Sequence, residues 1–271
     1  MKQRKDRKFE LKNQCIYQKI AIVTGASGGI GKEFVCELMK EDIDKIWVVG
    51  RNAERLSLLQ KQYGDKIVCV CKDLTDSQDL LSIEALLVEQ NVIISYLINN
   101  AGIAQMKPSK DLQPQEIEKT ILLNCYAPVV LTNICLPFMK KGSIVMNISS
   151  ASAFQPVPYI NLYAATKSFE KSYSLALNEE LKNLGINVIA VCPSWVDTDM
   201  LIREIHGKKV KFPGIVTPRQ VVIKAMEDAK MGKELSICSI YVKCQYFYAK
   251  FMPRQWIMKI WMRSLRKLDH N

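Results

Sequence analysis

Lys19-Ile20-Ala21-Ile22-Val23-Thr24-Gly25-Ala26-Ser27-Gly28-Gly29-Ile30-Gly31 is the stretch that decides the fold. Its first half is apolar, rich in β-branched residues and too short for a helix, so it reads as a strand. Its second half crowds Gly25, Gly28, Gly29 and Gly31 into seven residues, and a helical pattern over 30–41 follows. A strand that turns through glycines into a helix offers an anion bare backbone N–H groups and the positive end of the helix dipole. Gly25, Ser27, Gly28, Gly29, Ile30 and Gly31 are therefore candidate contacts to a diphosphate. Glycines in such a turn also serve purely structural ends, but directly after the first strand is where a dinucleotide fold needs them.

Outward from this point the same alternation repeats. Short apolar runs occur at 45–50 (KIWVVG), 66–73 (KIVCVCKD), 95–102 (SYLINNAG), 142–149 (GSIVMNIS) and 187–192 (NVIAVC). Helical patterns fill 52–63, 76–90, 114–139 and 163–184. Six strands alternating with helices predict a single doubly wound, Rossmann-type parallel sheet with helices on both faces. The 271 residues fit one such domain, and 48% hydrophobic residues suffice for its core. A basic tail (1–18) precedes it. An aromatic and basic helical extension over about 242–271 follows, beyond a last strand near Leu235–Tyr241.

The net charge of +11 is concentrated partly at the ends, in Lys2, Arg4, Lys5, Arg7 and Lys8 and in Arg254, Lys259, Arg263, Arg266 and Lys267. Such a balance suits nucleic acid, an anionic membrane, an anionic ligand or simply solvated ends. No nucleic-acid motif accompanies it, so a nucleic-acid partner is not expected. Nine cysteines, an odd number, sit partly in apolar runs without paired C-x-x-C spacing. That argues against a disulfide framework or a metal site and for a reducing, cytoplasmic compartment. Neither a signal peptide nor an apolar run of about 18 residues is evident.

The second strand ends Val48-Val49-Gly50-Arg51-Asn52, with no carboxylate there to hydrogen-bond an adenosine ribose. A guanidinium at Arg51 pairs with a 2′-phosphate, which favours NADP(H) over NAD(H) as cofactor, with Asn52 beside it. The alternative is an ordinary surface arginine. The third strand ends in Asp73-Leu74; the aspartate either accepts from an adenine amino group or caps the helix beginning near Asp76.

Tyr163-Ala164-Ala165-Thr166-Lys167 puts a phenol and an ammonium on one helix face, where the cation favours phenolate. Ser149 and Ser150 follow the strand GSIVMNI, at the carboxyl edge where open α/β sheets bind ligands. Asn99-Asn100-Ala101-Gly102 closes the fourth strand, and Asn124 is a polar amide inside a long apolar helix.

Together these residues resemble the short-chain dehydrogenase/reductase family. Its T-G-x-x-x-G-x-G matches Thr24 to Gly31, its N-N-A-G matches Asn99 to Gly102, and its P-G-x-V-x-T appears as Pro193-Ser194-Trp195-Val196-Asp197-Thr198. The resemblance spans roughly 18–235. It implies a catalytic tetrad of Asn124, Ser150, Tyr163 and Lys167, with family spacing selecting Ser150 over Ser149. It also implies cofactor contacts from Asn100, Ala101, Gly102, Tyr163, Lys167, Pro193, Val196 and Thr198. Tyr163 would give the proton, Ser150 orient the reacting oxygen, Lys167 meet the nicotinamide ribose and Asn124 support a water relay. Ser194 departs from the family's glycine. The C-terminus lacks the glycine-rich ending of many tetrameric members, which leaves a homodimer open.

Substrate choice is expected in 151–160 and 194–216. These hold Phe154, Val157, Pro158, Trp195, Met200, Leu201, Ile202, Ile205 and Phe212, an apolar set suited to a lipophilic carbonyl or alcohol substrate. Loops of this kind also pack apolar residues regardless of substrate, and His206 reads as a surface residue. A non-catalytic NADP(H) sensor on the same fold is the alternative; the filled tetrad speaks against it. In the C-terminal extension Ile257, Ile260, Trp261, Leu265 and Leu268 form an apolar stripe among basic residues. That stripe suits a membrane interface at the cytoplasmic face, or packing on the domain or a second subunit.

Overall fold

A computed structural model describes residues 17–105, 107–198, 201, 204–205, 208–209, 212 and 214–269. The basic run at 1–16 and, in the 194–216 segment, Met200, Ile202 and His206 lie outside the described residues, as do the side chains of Ile205, Leu265, Arg266, Lys267 and Leu268.

Strand β1 (Gln18–Thr24) is followed by β2 (Lys45–Gly50), β3 (Ile67–Cys71), β4 (Val92–Asn99), β5 (Met139–Ile148), β6 (Asn187–Val191) and β7 (Leu235–Ser236). They form one sheet in the order β3-β2-β1-β4-β5-β6-β7, parallel throughout. The six expected strands are all present. The seventh is cut to two residues where the sequence suggested a strand to Tyr241, because β6 offers only Ala190 and Val191 as partners. The chain then turns helical at Ile240.

The strands read as unbroken apolar runs because both their faces are covered. Ala21 and Val23 of β1 point to one side, into a core with Phe34, Leu38, Leu56 and Val222. Ile20 and Ile22 point to the other, among Leu80, Leu87, Leu131 and Leu177. The first layer comprises α1 (Gly29–Leu38), α2 (Ala53–Tyr63) and, later in the chain, α6 (Pro218–Lys230). The second comprises α3 (Ser77–Glu89), α4 (Pro114–Phe138) and α5 (Asn161–Leu181). Each fully buried aliphatic side chain contributes about 1.5–3 kcal/mol of burial.

Caps fix where the helices start. Asn52 Oδ1 accepts from Arg55 N, Asp76 Oδ1 from Gln78 N, and Thr217 forms a capping box with Gln220 ahead of Pro218. Helix α4 is long and apolar enough, by length and composition, to cross a membrane. Its Ala127, Leu131, Ile134 and Cys135 instead pack on the sheet. It runs through a π turn at Leu122–Tyr126 that carries Asn124. Helices α7 (Ile240–Phe251) and α8 (Arg254–Asp269) close the chain. The eight described cysteines are all free.

Candidate active site

The carboxyl ends of β1 and β4 diverge at the switch in strand order, where open α/β sheets take ligands. Thr24 joins the two ends. Its Oγ1 accepts from the backbone N–H of Asn100 and of Ala101, both at 2.9 Å, and the Asn100 side-chain amide returns bonds to the carbonyls of Thr24 and Gly25. The turn between β1 and α1 is crowded at three of its glycines. Gly25 has φ +61°, and a Cβ on it would stand 2.9 Å from Ala101 Cα. A Cβ on Gly31 would collide with the Gly25 carbonyl, and one on Gly29 would lie 2.9 Å from the Thr198 methyl. Gly28, exposed and extended, precedes the first turn of α1; no side chain caps that turn, so the N–H groups of Gly29 and Ile30 are left for a ligand. Ser27 and Ile30 are half-buried beside it, Ile30 against the core. A loop whose space would be filled by a Cβ at Gly25, Gly29 or Gly31, beneath a helix start without a side-chain cap, fits a diphosphate.

At the ends of β2 and β3 the structure adds what the sequence did not suggest. Arg51 is exposed, as expected of a phosphate ligand, but its Nη1 lies 3.5 Å from Asp73 Oδ2. The carboxylate missing from β2 thus arrives from β3. Burial pushes the Asp73 carboxyl up, but hydrogen bonds from Thr75 and the charge of Arg51 outweigh it and hold it below the usual carboxylate range. Asp73 is not the helix cap; Asp76 is. Asn52 spends its side-chain oxygen on capping α2, and the Leu74 side chain is in the core, so of Leu74 only the backbone can face a ligand.

The tetrad positions are held by three elements. Ser149 is buried and donates to the Lys167 carbonyl at 2.6 Å, whereas Ser150 is half-buried and accepts only from Ser152 N at 3.2 Å. That geometry leaves Ser150, not Ser149, for a ligand. Tyr163 is half-buried on α5, with Lys167 Nζ 5.7 Å from its ring centre. Lys167 is 5% exposed and donates to the Ile148 carbonyl at the end of β5 at 2.8 Å. Asn124, fully buried, brackets Ile103, accepting from its N–H and donating to its carbonyl at 2.9 Å each, and also donates to Thr166 Oγ1. A side chain at Gly102 would stand 3.3 Å from both Asn124 Oδ1 and Lys167 Nζ. After β6, the Pro193 carbonyl accepts from Ala151 N, and Val196 pairs with Val216, so that Thr198 lies over the glycine turn.

One residue of this site went unremarked in the sequence. Glu170, 2% exposed, lies 2.8 Å from Lys167 Nζ. Its spacing of three residues from Lys167 on one helix was the available signal. Burial pushes the Glu170 carboxyl up to about 7 against the pull of Lys167. Burial alone would lower the Lys167 ammonium; the Glu170 carboxylate, with Tyr163, holds it above the usual lysine range.

The C-terminal helices pack beside the segment that follows Ser150. Trp261 Nε1 donates to the Pro158 carbonyl at 2.9 Å, Tyr248 to Gln155 at 3.3 Å, and the Tyr246 ring meets Phe154 edge-on at 4.9 Å. Ile257 is buried. The described part of the apolar stripe thus faces the domain at Ile257 and Trp261, which favours packing for those residues. Phe247, Phe251 and Trp256 are exposed instead.

The family model described as short chain dehydrogenase matches residues 19–209. The very-long-chain 3-oxoacyl-CoA reductase of Anas platyrhynchos is 28% identical over 261 residues, 92% of this chain and 80% of that protein. That of Bos taurus is 34% identical over 191 residues, 66% of this chain and 60% of that protein. The short-chain dehydrogenase from Sphingobium yanoikuyae in complex with NADPH superposes with a TM-score of 0.74 at 27% identity, over 89% of this chain and 95% of that one.

Proposed function

The chain belongs to the short-chain dehydrogenase family, and on that premise we propose an NADP(H)-dependent oxidoreductase acting on a carbonyl or secondary alcohol of a lipophilic substrate. The observation that carries the reading is the Tyr163–Lys167 pair, anchored by Lys167 to the end of β5, together with a turn that has no room for a side chain at Gly25, Gly29 or Gly31. When bound, the nicotinamide supplies or takes up the hydride. In reduction Tyr163 gives its proton to the carbonyl oxygen as that oxygen gains negative charge. Ser150 hydrogen-bonds the same oxygen and orients it. Lys167 stabilises the charge on the phenol oxygen and holds the cofactor ribose, while Asn124 steadies the wall at Ile103. Oxidation runs the same groups in reverse. The backbone of residues 25–31, Asn100, Ala101 and Gly102, and Pro193, Val196 and Thr198, would line the cofactor, with Arg51 on the 2′-phosphate.

The relatives named very-long-chain 3-oxoacyl-CoA reductase support a long acyl substrate. So does the Trp195–Phe212 pair, rings 5.2 Å apart, in the segment where substrate choice is expected. Ketones, 3-oxoacyl thioesters of increasing chain length and ketosteroids, assayed with NADPH by loss of nicotinamide absorbance, test the proposal. Turnover should rise with chain length; failure on every carbonyl would refute it.

For location, the free cysteines support a reducing, cytoplasmic compartment. Phe247, Phe251 and Trp256 stand exposed near Lys250, Arg254 and Lys259, and no acidic residue occurs between Glu234 and Asp269. This pattern supports peripheral contact with an anionic membrane. Replacing the three aromatics together with serine should abolish co-sedimentation with anionic vesicles. Equal sedimentation of both proteins, or none by the parent, would exclude the contact.

A further inference from the structure

We propose that Glu170 is a positioning residue of the Tyr163–Lys167 pair, its carboxylate holding the Lys167 ammonium in place and offsetting its charge, so that the proton donor stays usable to higher pH. The inference rests on the reading of Tyr163 as the proton donor.

The geometry is that of a closed charge pair. Lys167 and Glu170 are 5% and 2% exposed, and the ammonium and carboxylate are 2.8 Å apart one turn along α5. The two groups form an ion pair. The other face of Lys167 Nζ is committed to the Ile148 carbonyl. The helix is itself tied down at Glu170. The Glu170 carbonyl accepts from Ser174 Oγ at 2.6 Å, and that hydroxyl accepts from Asn147 of β5 at 2.9 Å.

The titratable groups around the pair add little charge. Cys125 faces it from the π turn and Cys192 from the end of β6; burial pushes these thiols up to about 11 and about 12, so both are neutral near pH 7. On α5 itself Lys171 is drawn away, donating to the Ala153 carbonyl and lying over the Phe154 ring. Above the range in which Glu170 ionises, the pair beside Tyr163 therefore carries almost no net charge. An isolated ammonium at the same place would draw the proton off the phenol sooner. Removing the Glu170 charge should move the loss of the proton donor to lower pH.

Glu170→Gln keeps the shape and one acceptor and deletes the charge. The alkaline limb of kcat/KM for NADPH-dependent carbonyl reduction should move down by about one pH unit, a tenfold change in proton concentration. NADPH affinity and melting temperature, measured alongside, report whether the fold and cofactor site survive. Glu170→Met, similar in volume, should shift the limb the same way. A second readout needs no turnover. The tyrosinate absorbance of Tyr163, taken as the difference between each protein and its Tyr163→Phe counterpart, should appear at lower pH in the Glu170→Gln background. A parent that turns over no carbonyl would sink the proposed function and leave this titration to judge Glu170. An unmoved limb together with an unmoved titration in a folded, NADPH-binding variant overturns the role. If neither variant folds, the carboxylate is structural and the role is likewise overturned.

Discussion

Replacing Arg51 with alanine should collapse the preference for NADPH over NADH. The magnitude follows from the two partners competing for the guanidinium. A charge-assisted contact to a 2′-phosphate contributes about 1.5–3 kcal/mol. To make it, Arg51 loosens its pair with Asp73, 3.5 Å away between side chains 53% and 36% exposed. Exposed pairs of that kind contribute about 0–1 kcal/mol, so the net selectivity is about 0.5–3 kcal/mol, or roughly two- to 150-fold in Kd. Alanine also leaves the Asp73 carboxylate without its cation beside an incoming phosphate, which weakens NADPH binding further and leaves NADH untouched. Fluorescence titration of both dinucleotides against parent and variant, at low and physiological salt, gives the ratio directly. It should fall to near one, almost wholly through weaker NADPH. Asp73→Asn should move it the other way, by freeing Arg51. A ratio unchanged within twofold in Arg51→Ala, or a parent that binds NADH more tightly, would refute the assignment.

Tyr163→Phe should cut turnover at least a hundredfold while NADPH still binds, since the phenolic proton is what a general acid supplies; comparable turnover would remove Tyr163 as the acid. Gly31→Ala should abolish dinucleotide binding in titrations, because the new methyl collides with the rigid Gly25 carbonyl; retained affinity would show that the turn yields. Asp228, almost fully buried, accepts from Lys224, Lys233 and Ser236. Burial pushes its carboxyl up, but these hydrogen bonds outweigh it and hold it below the usual range. Its stabilisation is therefore present above the unfolded carboxylate value and lost as pH falls through the folded one. Asp228→Asn should cost about 1–3 kcal/mol near pH 7 in denaturant titrations and progressively less toward pH 3; a pH-independent difference would contradict the sign.

What was legible in the sequence, and what was not, divides along a physical line. Runs such as Ile20–Val23 announce strands because a parallel sheet buries both faces, and Gly25 and Gly31 after Thr24 announce a close approach because a side chain there would meet backbone. These are local demands that each residue meets alone. The Arg51–Asp73 pair is a matter of register: β2 and β3 align Gly50 with Cys71, and that pairing brings Arg51, one residue beyond Gly50, within reach of Asp73, two residues beyond Cys71. Glu170 lay at a readable spacing from Lys167, yet spacing says nothing of burial, and a carboxylate three residues from a lysine is ordinarily a solvated helix pair. Only packing against the π turn and β5 makes it a counter-charge. The C-terminal stripe shows the same limit. Its periodicity predicted one apolar face and left open what covers it; Ile257 is buried and the Trp261 indole is bonded to the Pro158 carbonyl, while Ile260 of the same stripe is exposed. What the sequence left open or unremarked thus falls where one side chain's partner is chosen by another element. At Arg51, Glu170 and Trp261 alike, that element borders the cofactor ends of the strands, the reacting pair or the segment after Ser150. On the proposed function, cofactor preference, proton supply and substrate entry are therefore the properties that these tertiary contacts would tune beyond what the motifs set.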